Sequence, residues 1–332
     1  MAQMKYFYEL TISSSPHAHS PVTTQTIMRD VLIALIPAML GSIYFFGFRS
    51  LLVTLVSAAA CVFFEWGFCK VRKLHCKTYD LSAVVTGVLL AFVCPVTIPY
   101  WTIILGDFFA IVLVKMLFGG LGKNIVNPAL AGRAFLFSWP ILMSNWVKVG
   151  FDNAAGLLST ADAVTAATPM SAMHQGALPE ESILDMFLGN IGGCIGETSA
   201  LLLIIDFVYL LYRKVITARI PLAYIGTVAI LAFLFPQGND RIAWMAAQVF
   251  GGGLMLGAIF MATDYVTSPL TKLGQIVYGI GCGVITILIR YFGGYSEGVT
   301  YAILCMNACS VLLDKIGRPV KFGAPKKEAA KK

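Results

Sequence analysis

One polar stretch of the sequence carries a hydroxyl that another enzyme could modify. Residues 162–168 read Asp-Ala-Val-Thr-Ala-Ala-Thr and lie in the only long polar loop of an otherwise apolar chain. A threonine hydroxyl is a weak nucleophile, so the modifying enzyme must supply a base and needs an accessible, extended acceptor. Pro169 biases Thr168 toward extended geometry, which presents its hydroxyl outward. The same residue types also start helices as N-caps or Asx turns, and the pattern leaves that alternative open.

The composition places the chain in a membrane. Hydrophobic residues make up 58% of the 332 residues and charged residues only 12%, and the mean hydropathy is +0.79. So few polar groups cannot cover a soluble surface of this size, which indicates an integral membrane protein surrounded by lipid. The net charge of +7 does not indicate nucleic-acid binding, because no basic cluster lies on a soluble domain.

Apolar runs long enough to cross about 30 Å of hydrocarbon predict ten transmembrane helices and an all-α polytopic fold. Asn127-Pro128 and Pro140 interrupt the fifth helix, so nine helices are an alternative. The predicted helices cover residues 31–47, 51–69, 81–98, 101–118, 125–143, 195–212, 220–235, 244–262, 273–290 and 298–314.

Basic residues collect in alternate connections, and this orients the predicted helices. With a cytoplasmic N-terminus, the inner segments contain most of the 24 Lys and Arg residues. This positive-inside pattern predicts two cytoplasmic termini in a cytoplasmic (inner) membrane. The first 26 residues lack the apolar core of a signal peptide. The predicted divisions are a cytoplasmic arm (1–26), a first transmembrane half (27–143), an extracytoplasmic loop (144–190), a second transmembrane half (191–314) and a basic cytoplasmic tail (315–332).

A short repeated motif predicts that the two halves have opposite orientations. Phe118-Gly119-Gly120 precedes the fifth predicted helix, and Phe292-Gly293-Gly294 precedes the tenth. Motifs separated by an odd number of crossings face opposite sides, as in inverted-topology repeats. Interrupted segments in such folds often place half-helix ends around a central site. The candidate breaks are residues 119–128, 189–199 and 263–269.

Ionisable residues in the predicted helices, Arg133 among them, are candidates for an ion path or a cofactor contact, because each costs at least about 2.5 kcal/mol near a helix centre. Asp107 and Lys115 lie about two turns apart on one helix face, and Asp264 lies among hydroxyl residues at a predicted break. The oxygens at that break would suit Na⁺ or would cap a broken helix, and the sequence leaves both alternatives open. Three further residues near helix ends are expected to snorkel or to form interhelical pairs, namely Glu65, Asp206 and Arg290.

The cysteines predict no metal site. Cys305 and Cys309 lie one helical turn apart, but no histidine or second cysteine pair is nearby. We expect both to be buried small hydrophobic residues.

Four groups of residues resemble the D subunit of the Rnf complex, a membrane-bound ferredoxin:NAD oxidoreductase that couples electron transfer to ion translocation. The resemblance extends over nearly the whole chain. The B subunit of the sodium-pumping NADH:quinone oxidoreductase is a similar sister family whose members are usually longer at the N-terminus. The matching groups are Ser13-Ser14-Ser15-Pro16-His17 with Thr23-Thr24, 118–124 with 127–129 and 132–135, 262–264 with 267–269, and 290–294 with Glu297-Gly298 and 302–307.

The resemblance implies that the polar stretch is a flavin-attachment motif. It assigns Thr168 as the residue that carries FMN through a phosphoester bond, with Asp162, Thr165, Ala166 and Ala167 as the motif before it. Ala166 stands where the family frequently has Gly, and alanine is small enough that we expect attachment.

The resemblance also implies partners and leaves alternatives. It implies the other Rnf subunits (A, B, C, E and G), a flavin transferase for maturation and Na⁺ or H⁺ as the coupling ion. It raises a second, non-covalent flavin such as riboflavin, for which no residue identifies a site. The alternatives are the sodium-pumping family's B subunit, a solute channel or transporter built on an inverted repeat, and a structural scaffold.

Overall fold

The computed structural model describes residues 22–73, 78–143, 145–147, 168–238 and 240–317, and its regular elements there are helical. The first part contains α1 (Thr24–Ala34), α2 (Ile36–Phe46), α3 (Phe48–Val71), a 3₁₀ turn (Thr78–Asp80), α4 (Ser82–Phe92), α5 (Tyr100–Phe108) with a π-helix (Phe109–Met116), α6 (Pro128–Leu136) and α7 (Pro140–Met143). The second contains α8 (Pro169–His174), α9 (Ile183–Leu188), α10 (Ala200–Tyr212), α11 (Arg219–Leu234), α12 (Arg241–Phe250), α13 (Leu254–Leu256) with a π-helix (Gly257–Met261), α14 (Lys272–Phe292) and α15 (Val299–Leu313).

Three helical stretches of the described chain are long and apolar enough to cross a membrane, namely Thr24–Phe46, α3 and α14. A fourth is Arg241–Phe250 with Leu254–Met261, if a pair bent by 59° forms one span. This is fewer than the ten predicted. The other predicted spans contain shorter helices, so by length and composition they do not qualify.

Prolines explain why two predicted spans are shorter than expected. The helix predicted for 81–98 ends at Phe92, because Pro95 and Pro99 follow and lack the amide that a helix needs. The helix predicted for 125–143 begins only at Pro128, which takes an N-terminal helix position, and ends at Leu136. Both segments are therefore interrupted helices.

The helix predicted for 101–118 has a different irregularity. It is α-helical to Phe108 and continues as a π-helix to Met116. A π-helix turns less per residue than an α-helix, so the α-helical spacing of the sequence does not reveal it.

Close helix packing depends on two glycine sites. A Cβ on Gly87 would lie 2.7 Å from Ala58 Cα and 2.8 Å from Ser57 O, so α4 packs directly on the backbone of α3. A Cβ on Gly279 would lie 2.9 Å from Ile220 O, and α14 packs on α11 in the same way.

Helix α6 is the buried centre of the fold. Its residues from Pro128 to Arg133 are all buried, and it contacts α4, α5 and α15. It therefore joins elements of both predicted halves.

Large apolar side chains cover the outer surface, as expected of a protein whose surroundings are apolar. Residues of this kind with at least six-tenths of their surface exposed include Tyr44, Phe48, Phe63, Leu222, Ile230 and Phe292.

Candidate functional site

Thr168 occupies the N-cap position of α8 but does not cap the helix. Its backbone is extended, with φ −84° and ψ 149°, and its side chain accepts no capping hydrogen bond. Its carbonyl accepts the amide of Ser171 at 2.9 Å and the hydroxyl of Ser171 at 2.6 Å. The extended geometry agrees with the prediction from Pro169, and the hydroxyl is not used for the alternative role that the sequence left open. The rest of the predicted motif, Asp162, Thr165, Ala166 and Ala167, lies outside the described residues.

Thr168 is half-buried and lines a cavity, which we call the Thr168 cavity. Its wall is partly aromatic and partly acidic. Tyr295 and Phe137 lie in the wall with ring centroids 6.0 Å apart. The lining includes Phe137, Trp146, Thr168, Glu197, Tyr295 and Glu297.

A buried ion cluster lies behind this cavity, and we call it the Arg133 cluster (Arg133, Glu197 and Glu297). Arg133 is 1% exposed, and its guanidinium lies 3.1 Å from Glu197 Oε1 and 2.5 Å from Glu297 Oε2. It also donates to Thr300 Oγ1 at 3.2 Å. One guanidinium therefore holds two carboxylates from distant parts of the chain, and both carboxylates line the Thr168 cavity.

Local backbone geometry brings the two glutamates together. Glu197 precedes α10 in one predicted break, and Glu297 precedes α15. The amide of Gly253 donates to Glu297 Oε1. A Cβ on Gly253 would collide with Oε1 of both glutamates, and Gly252 has φ +66°, which favours glycine. The glycines before α13 thus leave the space that the two carboxylates fill.

A second arginine connects this region to α8. Arg290 is 2% exposed, and its guanidinium donates to Gln248 O at 2.6 Å and Gln248 Oε1 at 2.8 Å. His174 Nδ1 donates to the carbonyl of Arg290 at 3.0 Å. The expectation of an interhelical pairing for Arg290 is confirmed, and α8 is held against α14 by this contact.

A second cavity, the Lys115 cavity, brings together two predicted ion-path residues. Its volume is about 90 Å³, and Lys115 and Asp264 both line it. Asp107 is not among its lining residues. The polar lining residues are Ser82, Thr86, Lys115, Asn124, Asn127, Thr263 and Asp264.

The Lys115 cavity lies where two predicted breaks meet. Asn127 Oδ1 caps α6 by accepting the amides of Ala129 at 3.0 Å and Leu130 at 3.4 Å, and Asn127 Nδ2 donates to Met261 O at 3.2 Å. Asp264 Oδ2 accepts the hydroxyl of Thr267 at 3.0 Å. The start of α6 and the end of the second π-helix therefore share one asparagine.

The expectation of snorkelling or interhelical pairing is confirmed for Glu65 and wrong for Asp206. Glu65 forms the expected interhelical pair, with its Oε1 2.9 Å from Lys115 Nζ. Asp206 neither snorkels nor pairs: it is 1% exposed, and neither carboxylate oxygen has a hydrogen-bond partner among the described residues. It lies in the middle of α10, away from the helix ends where a side chain can reach water.

The prediction of buried cysteines on α15 is also wrong. Cys305 and Cys309 are both exposed, because their spacing puts them on the outer face of the helix. The described residues contain no cluster of three His, Cys, Asp or Glu side chains that could hold a metal ion.

Glu197 and Glu297 were missed as functional candidates, although the sequence contained signals for both. Glu197 lies in the predicted break 189–199, and Glu297 lies in one of the residue groups that carry the family resemblance. Nothing local shows that both contact Arg133, which is 64 residues from Glu197 and 164 from Glu297.

Comparison with known proteins gives a consistent match over the full length. The profile described as "NQR2, RnfD, RnfE family" matches residues 11–323. The chain is 45% identical to the D subunit of the "Na(+)-translocating ferredoxin:NAD(+) oxidoreductase complex" of Acetobacterium woodii, covering 96% of both chains. It is 43% identical to the D subunit of the "Proton-translocating ferredoxin:NAD(+) oxidoreductase complex" of Clostridium ljungdahlii, covering 94% of this chain and 96% of the relative. The D subunit of the "Ion-translocating oxidoreductase complex" of Halorhodospira halophila is 35% identical, with 93% and 94% covered.

Proposed function

This chain belongs to the NQR2, RnfD, RnfE family, and from this premise we propose that it is the D-type membrane subunit of an ion-translocating ferredoxin:NAD⁺ oxidoreductase. The support is the match to subunits of this name over nearly the whole of both chains. Its partners are then the other subunits of such a complex (A, B, C, E and G) and, for maturation, a flavin transferase. The relatives from Acetobacterium and Clostridium are named for different ions, so Na⁺ and H⁺ are both compatible with the match.

Within this function, Thr168 carries FMN through a phosphoester bond at Oγ1. The observation that supports this most directly is the geometry of Thr168, since its extended, uncapped hydroxyl lines a cavity. The lining fits a flavin, because aromatic rings can pack against a planar ring system. FMN, when bound, supplies reversible electron transfer.

The residues around Thr168 position and shield this group. Phe137, Trp146 and Tyr295 provide the apolar wall. The charge of Arg133 balances one of the two cluster carboxylates. Arg133 Cζ lies 5.4 Å from the Phe137 ring centroid, so the guanidinium is next to the aromatic wall of the cavity. The Nε atoms of Arg133 and Arg290 have no hydrogen-bond partner among the described residues, which leaves donor capacity near the cavity.

Covalent attachment is tested by flavin fluorescence of the denatured chain. The chain is co-expressed with a flavin transferase, and a fluorescent band is expected in the gel for the unaltered protein and for Thr160→Val, whose hydroxyl lies outside the motif. No band is expected for Thr168→Val. A band that persists in Thr168→Val would mean that the flavin is attached to another residue. The absence of a band in every sample would favour the solute-channel alternative instead.

The ten crossings and their orientation belong to this proposal. The shorter helices α4, α10, α11 and α15 are apolar, and interrupted helices are typical of inverted repeats in which half-helices meet at a central site. The positive-inside pattern then places both termini in the cytoplasm and α8 on the outer side.

We expect Gln175→Cys, just after α8, to react with a membrane-impermeant maleimide on intact cells. Lys214→Cys, after α10, is the matched inner position and should react only after lysis. Both positions are exposed. The background should carry Cys305→Ala and Cys309→Ala, because these cysteines are exposed as well, and Cys76→Ala, because Cys76 lies in a predicted inner segment. Labelling of Lys214→Cys in intact cells would contradict the orientation.

For a second, non-covalent flavin such as riboflavin we propose a site at Asn124 in the Lys115 cavity, which must widen from about 90 Å³ to admit a flavin. Asn124 lines this cavity, and its Oδ1 is buried without a hydrogen-bond partner among the described residues. An orphaned acceptor of this kind is expected where a ligand donates. We expect Asn124→Leu to lower the flavin released on denaturation while the covalent label stays unchanged. Equal release from both proteins would contradict this site.

A further inference from the structure

A buried polar stripe runs along α3 and faces α5. Ser57, Cys61 and Glu65 are spaced four residues apart, so they lie on one face of the helix, and all three are buried. Opposite them, Asp107 contacts Ser57 and Cys61, and Lys115 contacts Glu65. The stripe is therefore a continuous line of polar groups between two helices of a membrane protein.

The hydrogen bonds at Ser57 are explained by a proton on Asp107. Ser57 Oγ lies 2.8 Å from the carbonyl oxygen of Gly87 and 2.7 Å from Asp107 Oδ1. A hydroxyl has one hydrogen, and a carbonyl oxygen can only accept, so the contact with Gly87 uses the hydrogen of Ser57. The contact with Asp107 then needs a second hydrogen, which a protonated Asp107 carboxyl supplies by donating to Ser57 Oγ.

The charges around Asp107 agree with a neutral carboxyl. Asp107 is 0% exposed, and its Oδ2 has no hydrogen-bond partner among the described residues. Lys115 is the nearest cation on its own helix, and Glu65 and Ser82 already hold its ammonium at 2.9 Å and 2.7 Å. A carboxylate at Asp107 would thus be an unpaired charge in an apolar interior, which is strongly unfavourable.

The stripe opens at its Glu65 end. Glu65 lines a cavity of about 710 Å³ formed by the start of α1, the 3₁₀ turn and the glycines after the first π-helix. Glu65 Oε2 has no hydrogen-bond partner among the described residues, so it can accept a proton from this cavity. Cys61 lies one helical turn from Glu65 and donates its S–H to Asp107 Oδ1 at 3.2 Å. Glu65 and Cys61 thus lie on one helix face between the cavity and Asp107.

The space around Asp107 suits a proton better than a metal cation. Gly87 brings the backbone of α4 onto Ser57 and Ala58, and a Cβ on Gly106 would lie 2.8 Å from a Leu136 methyl carbon. Sodium or another hard cation needs several oxygen ligands around it. Here Ser57 Oγ already lies within hydrogen-bond distance of both Asp107 Oδ1 and Gly87 O.

We propose that Asp107 is a proton-binding site inside the membrane, which exchanges its proton with the Glu65 cavity along the polar stripe of α3. The groups that face it are Ser57, Cys61 and Glu65 from α3, Gly87 O from α4, and Lys115 beyond it on the π-helix. The role of this site, a proton step during ion translocation, rests on the proposed function. Its test reads the proton directly and needs neither flavin nor turnover.

The test is infrared spectroscopy of the purified complex in H₂O and D₂O. The unaltered complex should show a carboxylic-acid C=O band that shifts in D₂O. Asp107→Asn, which keeps the shape of the side chain, should lose this band. Ser57→Ala removes the acceptor of the Asp107 proton, so it should shift the band without abolishing it. Asp206→Asn, the matched control for another buried carboxyl, should leave the band in place.

The rate at which the carboxylic-acid band shifts in D₂O measures how fast Asp107 exchanges its proton with the Glu65 cavity. Glu65→Gln should slow the shift severalfold, because the group at the mouth can no longer take up and pass on a proton. Identical spectra for the unaltered complex and Asp107→Asn would overturn the proton site, and an unchanged rate in Glu65→Gln would overturn the route. If Asp107→Asn does not assemble, the Ser57→Ala shift decides, and no shift there overturns the proposal. The fluorescent band at Thr168 in these variants checks the proposed function separately.

Discussion

Replacing Arg133 by methionine should remove most of this protein from the membrane. The substitution leaves Glu197 and Glu297 buried without the guanidinium that contacts both, at 3.1 Å and 2.5 Å. Removing one partner of a buried ion pair typically costs about 3–5 kcal/mol, which is a large part of the stability of a folded domain. The measurement is the amount of full-length protein in membranes, with its thermal stability in detergent.

Two further variants separate lost charge from lost packing. Arg133→Lys keeps the charge but cannot hold two carboxylates in a fork, so an intermediate loss is expected. Combining Arg133→Met with Glu197→Gln and Glu297→Gln removes all three charges and should recover part of the loss. Accumulation of Arg133→Met at the unaltered level would show that the Arg133 cluster does not stabilise the fold.

Replacing Thr168 by valine should abolish ferredoxin-linked NAD⁺ reduction through the complex while the protein still accumulates. Valine keeps the shape of threonine, and the hydroxyl that it lacks caps no amide of α8. The expected change in stability is therefore within about 0.5 kcal/mol, as for substitutions away from structural features. Electron transfer is expected to fail because the covalent group is absent. The assay is NAD⁺ reduction by membranes supplied with reduced ferredoxin.

Thr168→Ser is the matched control, because it keeps a hydroxyl at the same position. It should retain the flavin label and most of the activity. Full activity in Thr168→Val would instead favour the scaffold alternative, in which this protein carries no electrons.

The sequence predicted the local features of this protein well, because they depend on nearby residues. The extended geometry of Thr168 follows from Pro169, and the breaks near 119–128 and 263–269 follow from glycine, proline and asparagine. The interhelical pair of Glu65 and Lys115 was one of the two outcomes expected for Glu65.

The features that the sequence did not predict depend on contacts between distant segments. Arg133 meets Glu197 and Glu297 only after α6, the break before α10 and the start of α15 have packed together. Asp206 was expected close to a helix end, but the structure buries it in the middle of α10. The proposed proton site at Asp107 depends on the hydrogen bond between Ser57 and the carbonyl of Gly87 from another helix, which no local pattern reveals.

The proposed attachment of FMN to Thr168 is measured most directly by mass spectrometry of the peptide that contains residues 162–168. The chain should be isolated from the native membrane complex and digested under conditions that preserve phosphoesters. We expect a peptide that is heavier by FMN less one water, with fragment ions that place the addition on Thr168 and not on Thr165. An unmodified peptide, or an addition on any other residue, would contradict the proposed attachment.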